Sequence, residues 1–276
     1  MDTVNVADDF GIPIQVNMGS GPDAVNLGTN GVAIDGNFRA AIQGTVSIAR
    51  GSGHDTLNVY DQNGEDLGRT WTITGSGLFL NGLGGGAVEY NGLDAVALAG
   101  GSDATYDVEG ASAPTTLNVG AGLGSVNVSP QSQNLDGIRG ALIVNGNGAT
   151  PLVVNDQNNP NFYTPTQDTI TNSALTRTAL GFNGLGFVPR NASIAYSGLG
   201  SLQLATGALP DFVFVESTAA PTTVNAGGGN VLVDVSARAE NLDNLPAALT
   251  VNGNGADALL VNDQNNPNFV APTQDT

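Results

Sequence analysis

Short runs of alternating hydrophobic and polar residues recur along the whole chain, and each run follows a glycine-rich turn. The pattern is clearest in GSGPDAVNL from Gly19, GSGHDTLNV from Gly51 and GNGADALLV from Gly253. Looser copies begin at Gly100, Gly120, Gly146, Gly207 and Gly227. Alternation places Leu and Val on one face of a strand, while glycine reaches the backbone angles of a tight turn. Each phrase therefore predicts a turn followed by a half-buried β-strand.

The spacing of the phrases indicates that their strands stack on one another. A strand with one apolar face cannot bury that face alone, so the copies must pack together. The fifth positions of the phrases fall at Asp103, Gly124 and Thr150, and then at Asp211, Val231 and Asp257. Steps of roughly 20 to 26 residues provide coils of two or three strands of about five residues joined by bends. We predict an all-β parallel β-helix, or β-solenoid, of about ten coils and roughly 50 Å in length.

A longer repeat overlies the short phrases. The segment Val144–Thr169 reappears almost unchanged as Val251–Thr276, and a more diverged relative surrounds Asp61. We call the distance along the sequence from Val144 to Val251 the long-repeat period. We interpret the chain as a single solenoid, residues 1–276, built of long repeats. Their predicted bounds are a partial unit at 1–42, units at 43–137 and 138–244, and a partial unit at 245–276.

Some segments interrupt the short phrases. The wider gaps, Asp55–Asp103 and Thr150–Asp211, are each predicted to hold an extra coil and a longer loop. The proline-containing stretches DQNNPNF and PTQDT are predicted to be a loop that leaves the stack. The best helix candidates are LTRTALGF from Leu175 and ARAENLDNL from Ala237. The alternative architecture is a series of tandem β-sandwiches of about a hundred residues each, but the regular short steps favour the solenoid.

Composition narrows the partners of the chain. It contains 25 acidic and 7 basic residues, for a net charge of −18, and the basic residues are all arginine. Such a polyanion repels nucleic-acid phosphates and anionic lipid, so we expect no nucleic-acid partner. Because no apolar run approaches the ~18 residues of a membrane span, we expect no membrane insertion. The absence of cysteine excludes a disulfide framework and a thiolate metal site.

Several glycine phrases resemble the calcium-binding nonapeptide of the RTX family, GGxGxDxUx. The matching residues are Gly19, Gly21 and Asp23; Gly51, Gly53 and Asp55; Gly101 and Asp103; and Gly253, Gly255 and Asp257. The resemblance implies that these aspartates and the glycine carbonyls of stacked coils hold calcium. RTX copies follow one another directly along the chain, whereas the copies here are separated by a whole coil. The alternative is a tight corner in which the aspartate caps backbone amides.

A second candidate calcium site lies in the sequence DQNGED. Alternating oxygen ligands around a glycine, the pattern of a calcium loop, are provided by Asp61, Asn63, Glu65 and Asp66. Thr72 stands where the bidentate Glu of such a loop is expected, and the repeats of the motif at Asp156 and Asp263 lack the last acid. An Asx turn is the alternative for all three copies. Calcium is therefore the only cofactor that the sequence suggests.

The sequence shows no set of residues arranged for catalysis. General acid and base catalysis needs two groups at a fixed separation with opposed pKa shifts, and the spacing of ionisable residues offers no such pair. The single histidine, His54, occupies a turn position that varies between copies. Trp71 is predicted to pack or to cover an end of the rod, with sugar stacking as the alternative. We expect no enzymatic activity, and a polysaccharide-active β-helix enzyme is the remaining alternative.

Outward-facing asparagines recur at a similar place in the predicted strands. They are Asn5, Asn26, Asn58, Asn118, Asn127, Asn155, Asn225 and Asn262. Stacked amides stabilise a rod by hydrogen bonding along its axis. We therefore predict asparagine ladders along one face of the rod.

The long repeats, acidic surface and glycine-rich stacked strands resemble the repeat regions of large bacterial surface or secreted proteins, including adhesin-type β-helices. The resemblance implies an extracellular or cell-surface stalk whose function is length, stiffness and display. The implied partners are further copies or neighbouring repeats stacked end to end, and a surface glycan or host ligand. Because the sequence begins and ends within a repeat, we expect either an excised fragment or a subunit that stacks into filaments.

Overall fold

The computed structural model describes residues 1–28, 37–38, 42–64, 68–81, 86–160 and 164–266, and the chain is almost entirely β-structure. The first strands are β1 (Thr3–Val6), β2 (Ile14–Asn17), β3 (Ala24–Leu27), β4 (Thr45–Ala49), β5 (Thr56–Tyr60), β6 (Thr70–Thr74), β7 (Gly77–Leu80), β8 (Ala87–Asn91), β9 (Ala95–Ala99), β10 (Thr105–Val108), β11 (Thr115–Asn118) and β12 (Ser125–Val128). The others are β13 (Leu142–Asn155), β14 (Thr166–Ile170), β15 (Ala174–Thr178), β16 (Leu180–Phe182), β17 (Phe187–Pro189), β18 (Ala192–Ala205), β19 (Asp211–Val215), β20 (Thr222–Asn225), β21 (Leu232–Val235), β22 (Leu249–Asn252) and β23 (Ala258–Val261). Two short 3-10 helices span Leu135–Gly137 and Leu242–Asn244. None of the helices in these described ranges is long and apolar enough to cross a membrane.

The chain alternates between two mostly parallel sheets that enclose one core. The long strands β13 and β18 take part in both sheets, their first halves in sheet I and their second halves in sheet II. In spatial order, sheet I contains β1, β3, β5, β9, β11, β13, β18, β15, β14, β19, β21 and β23. Sheet II contains β2, β4, β8, β7, β6, β10, β12, β13, β18, β20 and β22. At about 4.8 Å between neighbouring strands, the rod is roughly 50 Å long.

The parallel pairings confirm the predicted solenoid. Each ordinary coil contributes one strand to each sheet, so that Thr105 lies beside Ser125 and Val126 lies beside Leu152. These partners are separated along the chain by the short steps that the glycine phrases predict. The tandem-sandwich alternative is wrong, because strands pair in parallel from one long repeat into the next.

The core consists of small aliphatic layers, as the low aromatic content of 5% requires. Period-two alternation turns every second side chain inward, so inward residues of neighbouring strands lie in rows along the rod. In sheet I one such row contains Val25, Leu57 and Val96, and all three are buried. In sheet II the corresponding packing includes Val126 and Leu152.

Two antiparallel insertions occupy the wider gaps, where an extra coil and a longer loop were predicted. In the first insertion β6, β7 and β8 run back and forth within sheet II, and in the second β14, β15 and the first half of β18 do so within sheet I. The hydroxyl of Tyr90 donates to the carbonyl of Thr74 at 2.9 Å, and that of Tyr196 donates to the carbonyl of Thr171 at 2.5 Å. The prediction of extra coils was wrong because these strands carry no glycine phrase and reverse direction inside one sheet.

Two segments of the second insertion also differ from their predicted structure. The stretch PTQDT was predicted to be a loop outside the stack, but Thr166–Ile170 forms β14 inside sheet I. The helix predicted from Leu175 is β15, because Leu175 and Arg177 alternate with residues that face outward. In the second predicted helix, only Leu242–Asn244 forms a helical turn.

Successive long repeats place equivalent strands in opposite sheets. Strand β10 lies in sheet II, and its equivalent one long-repeat period later, β19, lies in sheet I. Likewise, β11 lies in sheet I and its equivalent β20 in sheet II. Within one long repeat the chain passes from one sheet to the other an odd number of times. Equivalent strands of the next repeat therefore lie in the opposite sheet. The first insertion adds strands to sheet II and the second adds strands to sheet I, so the two sheets grow equally.

Candidate functional site

The glycine phrases stack directly on one another where the chain passes from one sheet to the other. A Cβ atom added at Gly51 would lie 1.8 Å from the carbonyl oxygen of Gly19, and one at Gly53 would lie 2.2 Å from that of Gly21. Nothing larger than hydrogen fits these positions. The phrases therefore form the contacts between coils that their sequence predicts.

The aspartates of the RTX-like phrases cap backbone amides of these turns. Each carboxylate accepts a hydrogen bond from one backbone amide at 2.7–2.9 Å. The donors are the amide of Asp2 to Asp23, that of Gly51 to Asp55, that of Leu123 to Asp103, and that of Val231 to Asp257. This is the geometry of the capping alternative. Within the described ranges, no three His, Cys, Asp or Glu side chains come together in a group that could hold a metal ion. Calcium binding at these four positions stays a prediction.

The DQNGED segment forms a tight turn around a buried aspartate. Asp61 is fully buried, and its carbonyl accepts a hydrogen bond from the amide of Gly64 at 2.7 Å. Asn63 is exposed. Glu65 and Asp66 lie outside the described residues. This turn is closed by a backbone hydrogen bond, and both the calcium loop and the Asx turn stay predictions.

The two residues considered for catalysis or sugar binding lie in different environments. The side chain of His54 is 87% exposed, and its Nδ1 lies 3.8 Å from Oδ1 of Asp94. Trp71 is fully buried, and its ring centroid lies 5.1 Å from that of Phe38. The packing role predicted for Trp71 is therefore confirmed, because its indole has no surface for a sugar ring.

Asparagine ladders connect neighbouring coils as predicted, but they lie on the outer faces of both sheets and not along one face. The side-chain amide pairs, at 2.8–2.9 Å, are Asn26 to Asn5, Asn58 to Asn26, Asn145 to Asn118, and Asn252 to Asn225. Asn127 and Asn262 donate instead to Asp107 and Asp234. Asn155 accepts from the amide of Gln157 in its own turn. The ladders are thus short groups of two or three residues, and Asp replaces Asn in some of them.

The second insertion contains a buried arginine that is held by two carboxylates from the preceding coils. Arg177 on β15 is only 1% exposed, and its guanidinium forms ion pairs with Asp136 and Asp156, with Nη1 2.7 Å from Oδ1 of Asp156. The carbonyl oxygen of Arg190 accepts two further hydrogen bonds from the same guanidinium, at 3.2 and 2.8 Å. Burial works to lower the pKa of Arg177, but the carboxylates outweigh it and raise the pKa. Arg177 therefore stays charged inside the protein.

Three aspartates near this arginine, Asp156, Asp168 and Asp211, are buried, and burial disfavours their ionised forms. Burial raises the pKa of Asp156 to about 6, although Arg177 and the amide of Leu135 act in the opposite direction. Burial and the charge of Asp156 raise the pKa of Asp168 well above its ordinary value, and burial also raises that of Asp211. Among the residues that the structure describes, neither carboxyl oxygen of Asp168 has a hydrogen-bond partner. The cluster of Arg177 with Asp156, Asp168 and Asp211 is therefore pH-sensitive.

The sequence interpretation missed this cluster because Asp156 and Asp168 lie in segments that were predicted to be loop, and Arg177 lies in one that was predicted to be helix. The sequence nevertheless contains a pattern that indicates this cluster. The strings NLD, DQNNPN and PTQD each recur one long-repeat period further along the chain. The two copies of each string are nearly identical in sequence. Turn formation alone would allow more sequence differences between them. Side chains that bind one another across three separate segments explain why all three strings are repeated together.

The last coil of the rod has an open edge. Strand β22 pairs with β20 and strand β23 with β21, and each presents its other edge without a described partner strand. Leu259, Leu260 and Val261 are 57%, 47% and 51% exposed. A recess beside them is lined by inward side chains that include Val235, Leu242, Leu245, Leu249 and Val251. Unpaired edges of this kind are templates for further strands.

The contacts described above connect neighbouring coils along one axis. Stacked glycine turns and asparagine ladders join one coil to the next, and so do the caps formed by Asp23, Asp103 and Asp257. The cluster around Arg177 joins an insertion to the coils before it. The open edge at β22 and β23 extends the same set of contacts. Comparisons with protein-family models, with curated proteins and with solved structures found no match to this chain.

Proposed function

We propose that the chain is a rigid repeat rod that acts as a structural and adhesive segment of an extracellular bacterial protein, either as a stalk or as a filament-forming unit. The observation that supports this proposal most is one core that continues through successive long repeats. Because equivalent strands alternate between sheets, both sheets lengthen together and the rod can continue without a break. A solenoid gains contacts only between neighbouring coils, so added repeats give length and stiffness.

The two ends of the rod favour association in one direction. Strands β1 and β23 both lie in sheet I, and β2 and β22 both lie in sheet II. Each sheet therefore runs in the same direction at both ends, and a further rod or repeat can add in parallel. The proposed partners are further copies or neighbouring repeats, and a surface glycan or host ligand at the outer faces.

Localisation and assembly are tested separately. An antibody raised against the chain should label intact, unpermeabilised cells of the source organism, and labelling only after permeabilisation would contradict an extracellular role. The purified chain should sediment faster as its concentration rises if the ends pair, since strand edges bury apolar surface on association.

The calcium-binding alternative is tested by heat denaturation. The described carboxylates already accept hydrogen bonds from the protein, so we expect the melting temperature to be the same in calcium and in a chelator. A melting temperature that rises with calcium would favour the RTX-like module instead. Nothing described here favours the polysaccharide-active enzyme over either proposal.

A further inference from the structure

The carboxylate that holds Arg177 occurs a second time at the open end of the rod. Asp263 follows Asp156 by one long-repeat period and stands in the same DQNNPN string. Oδ1 of Asp156 accepts from the amide of Leu135 at 2.9 Å, and Oδ1 of Asp263 accepts from that of Leu242 at 3.0 Å. Their Oδ2 atoms accept from the side-chain amides of Asn159 and Asn266, both at 2.8 Å. The two carboxylates are therefore oriented by the same pair of hydrogen bonds.

The second carboxylate of the site is repeated as well. Asp136 and Asp243 lie in the two 3-10 helices, and their amides donate to Asn134 and Asn241, both at 2.9 Å. The loops that lead into these helices also match. Ser129 and Ser236 have φ angles of 54° and 58°, Gln133 and Glu240 have φ angles of 52° and 50°, and both serine hydroxyls donate to the asparagine carbonyl at 2.9 Å. Both acidic residues of the arginine site are thus present at the end of the rod in the same backbone setting.

In its first occurrence the site is filled from the insertion that follows it in the chain. Arg177 comes after Asp156 in the sequence, on the middle strand of that insertion. The sequence after Asp263 repeats the sequence after Asp156 as far as Thr276. The equivalent of Arg177 would lie beyond that residue, in a further repeat.

We propose that Asp243 and Asp263 form a docking site for the arginine of a further repeat of the type that begins at Thr166. The strands of that repeat would pair with the open edges of β22 and β23 and cover Leu259 and Val261. Charge complementarity selects this occupant, because two carboxylates in this setting hold a guanidinium in the other repeat. This inference rests on the proposed rod function and names the partner of its open end.

The proposal separates a further repeat from a second copy that stacks by its first coil. The first coil, β1 and β2, precedes any insertion, and the residue of the first insertion that corresponds to Arg177 is Leu80. A second copy docked by its first coil would therefore bring no arginine to Asp263. Of the two insertions, only the second has an arginine at this position.

The test uses the full chain and an extended chain in which residues 170–276 are repeated directly after Thr276, in register with the long repeat. Asp263→Asn should leave the urea midpoint of the original chain nearly unchanged. In the extended chain it should lower the midpoint by as much as Asp156→Asn does in the original chain. Glu240→Gln is the matched control, because the other repeat has Gln133 at that position, and it should change neither chain.

Two results distinguish the docking site from the rod itself. If the longest dimension in X-ray scattering grows by roughly 20 Å but Asp263→Asn has no effect in the extended chain, the docking site is wrong and the rod remains. If the longest dimension does not grow, the added repeat does not stack and the rod function fails. The expected result is growth together with loss on Asp263→Asn, and the same loss when the appended copy's arginine is replaced by leucine.

Discussion

Trp71 and Asp168 occupy the same place in two copies of one inserted hairpin. Trp71 lies opposite Leu80 across the first hairpin, and Asp168 lies opposite Arg177 across the second. Both inward side chains are buried. The hairpin therefore forms with either an apolar or a charged filling, which means that the fold itself does not require the buried charges. Since burying charges is costly, the second filling indicates a role in choosing which segments pack together.

Replacing the buried arginine should strongly destabilise the chain. Arg177→Leu leaves Asp136 and Asp156 without their cation, and breaking a buried pair in this way typically costs about 3–5 kcal/mol. Urea unfolding measures the loss. Arg238→Leu is the control, because the Arg238 side chain is 80% exposed and lies 3.8 Å from Glu216, and an exposed pair contributes about 0–1 kcal/mol. Equal losses for the two variants would contradict a structural role for the buried site.

The buried aspartates should make the chain less stable as pH rises. The pKa of Asp156 is raised to about 6 in the folded chain and that of Asp168 is raised well above its ordinary value. The folded state therefore binds more protons than the unfolded state above about pH 4, so the free energy of unfolding falls as pH increases through 6. For Asp156 the change is on the order of 2–3 kcal/mol. We expect a lower urea midpoint at pH 8 than at pH 5.

A neutral replacement identifies the group responsible for this pH dependence. Asp168→Asn removes a carboxyl group that accepts no hydrogen bond from the described part of the chain, so the midpoint at pH 8 should rise and the difference between pH 5 and pH 8 should shrink. Asp2→Asn, at an exposed position, should leave the difference unchanged. A lower midpoint at pH 8 for Asp168→Asn would show that the Asp168 carboxylate is favourable where it lies.

The stacked turns predict different costs for two glycines of the same phrase. A Cβ at Gly51 would meet the carbonyl oxygen of Gly19 at 1.8 Å, whereas a Cβ at Gly19 would meet nothing within 4 Å. Neither residue needs a positive φ. Gly51→Ala should therefore lose about 2 kcal/mol or more through forced separation of the coils, and Gly19→Ala less than about 1 kcal/mol. Thermal or urea unfolding of both variants compares them directly, and equal costs would refute the stacking of these turns.

The regular part of the fold could be predicted from the sequence, because each glycine phrase carries both its turn and its strand. Gly51 and Gly53 mark positions where coils touch, and Leu57 and Val59 mark the buried face. The insertions could not be predicted in the same way. Their strands have no turn phrase of their own, and the buried face of β15 contains Arg177, which reads as a surface residue.

The exchange of sheets between repeats was also outside the reach of sequence periodicity. It depends on whether the number of crossings between the sheets in one repeat is odd or even, and the spacing of the glycine phrases does not show that number. The aspartates of the turns show another limit. The sequence pattern around Asp55 is the same whether its carboxylate caps a backbone amide or binds a metal ion. Partner atoms decide between these interpretations, and only the structure supplies them.

The central claim is that consecutive repeats lie along one axis, and distances between spin labels test it most directly. Outward positions on sheet II, at Ser47, Asp107, Gln203 and Thr250, lie on β4, β10, β18 and β22. The chain has no cysteine, so pairs that combine Ser47→Cys with Asp107→Cys, Gln203→Cys or Thr250→Cys can be labelled cleanly. From the order of strands, we expect separations of roughly 19, 34 and 43 Å by pulsed electron paramagnetic resonance. A Ser47 to Thr250 distance that is no longer than the Ser47 to Asp107 distance would contradict the rod.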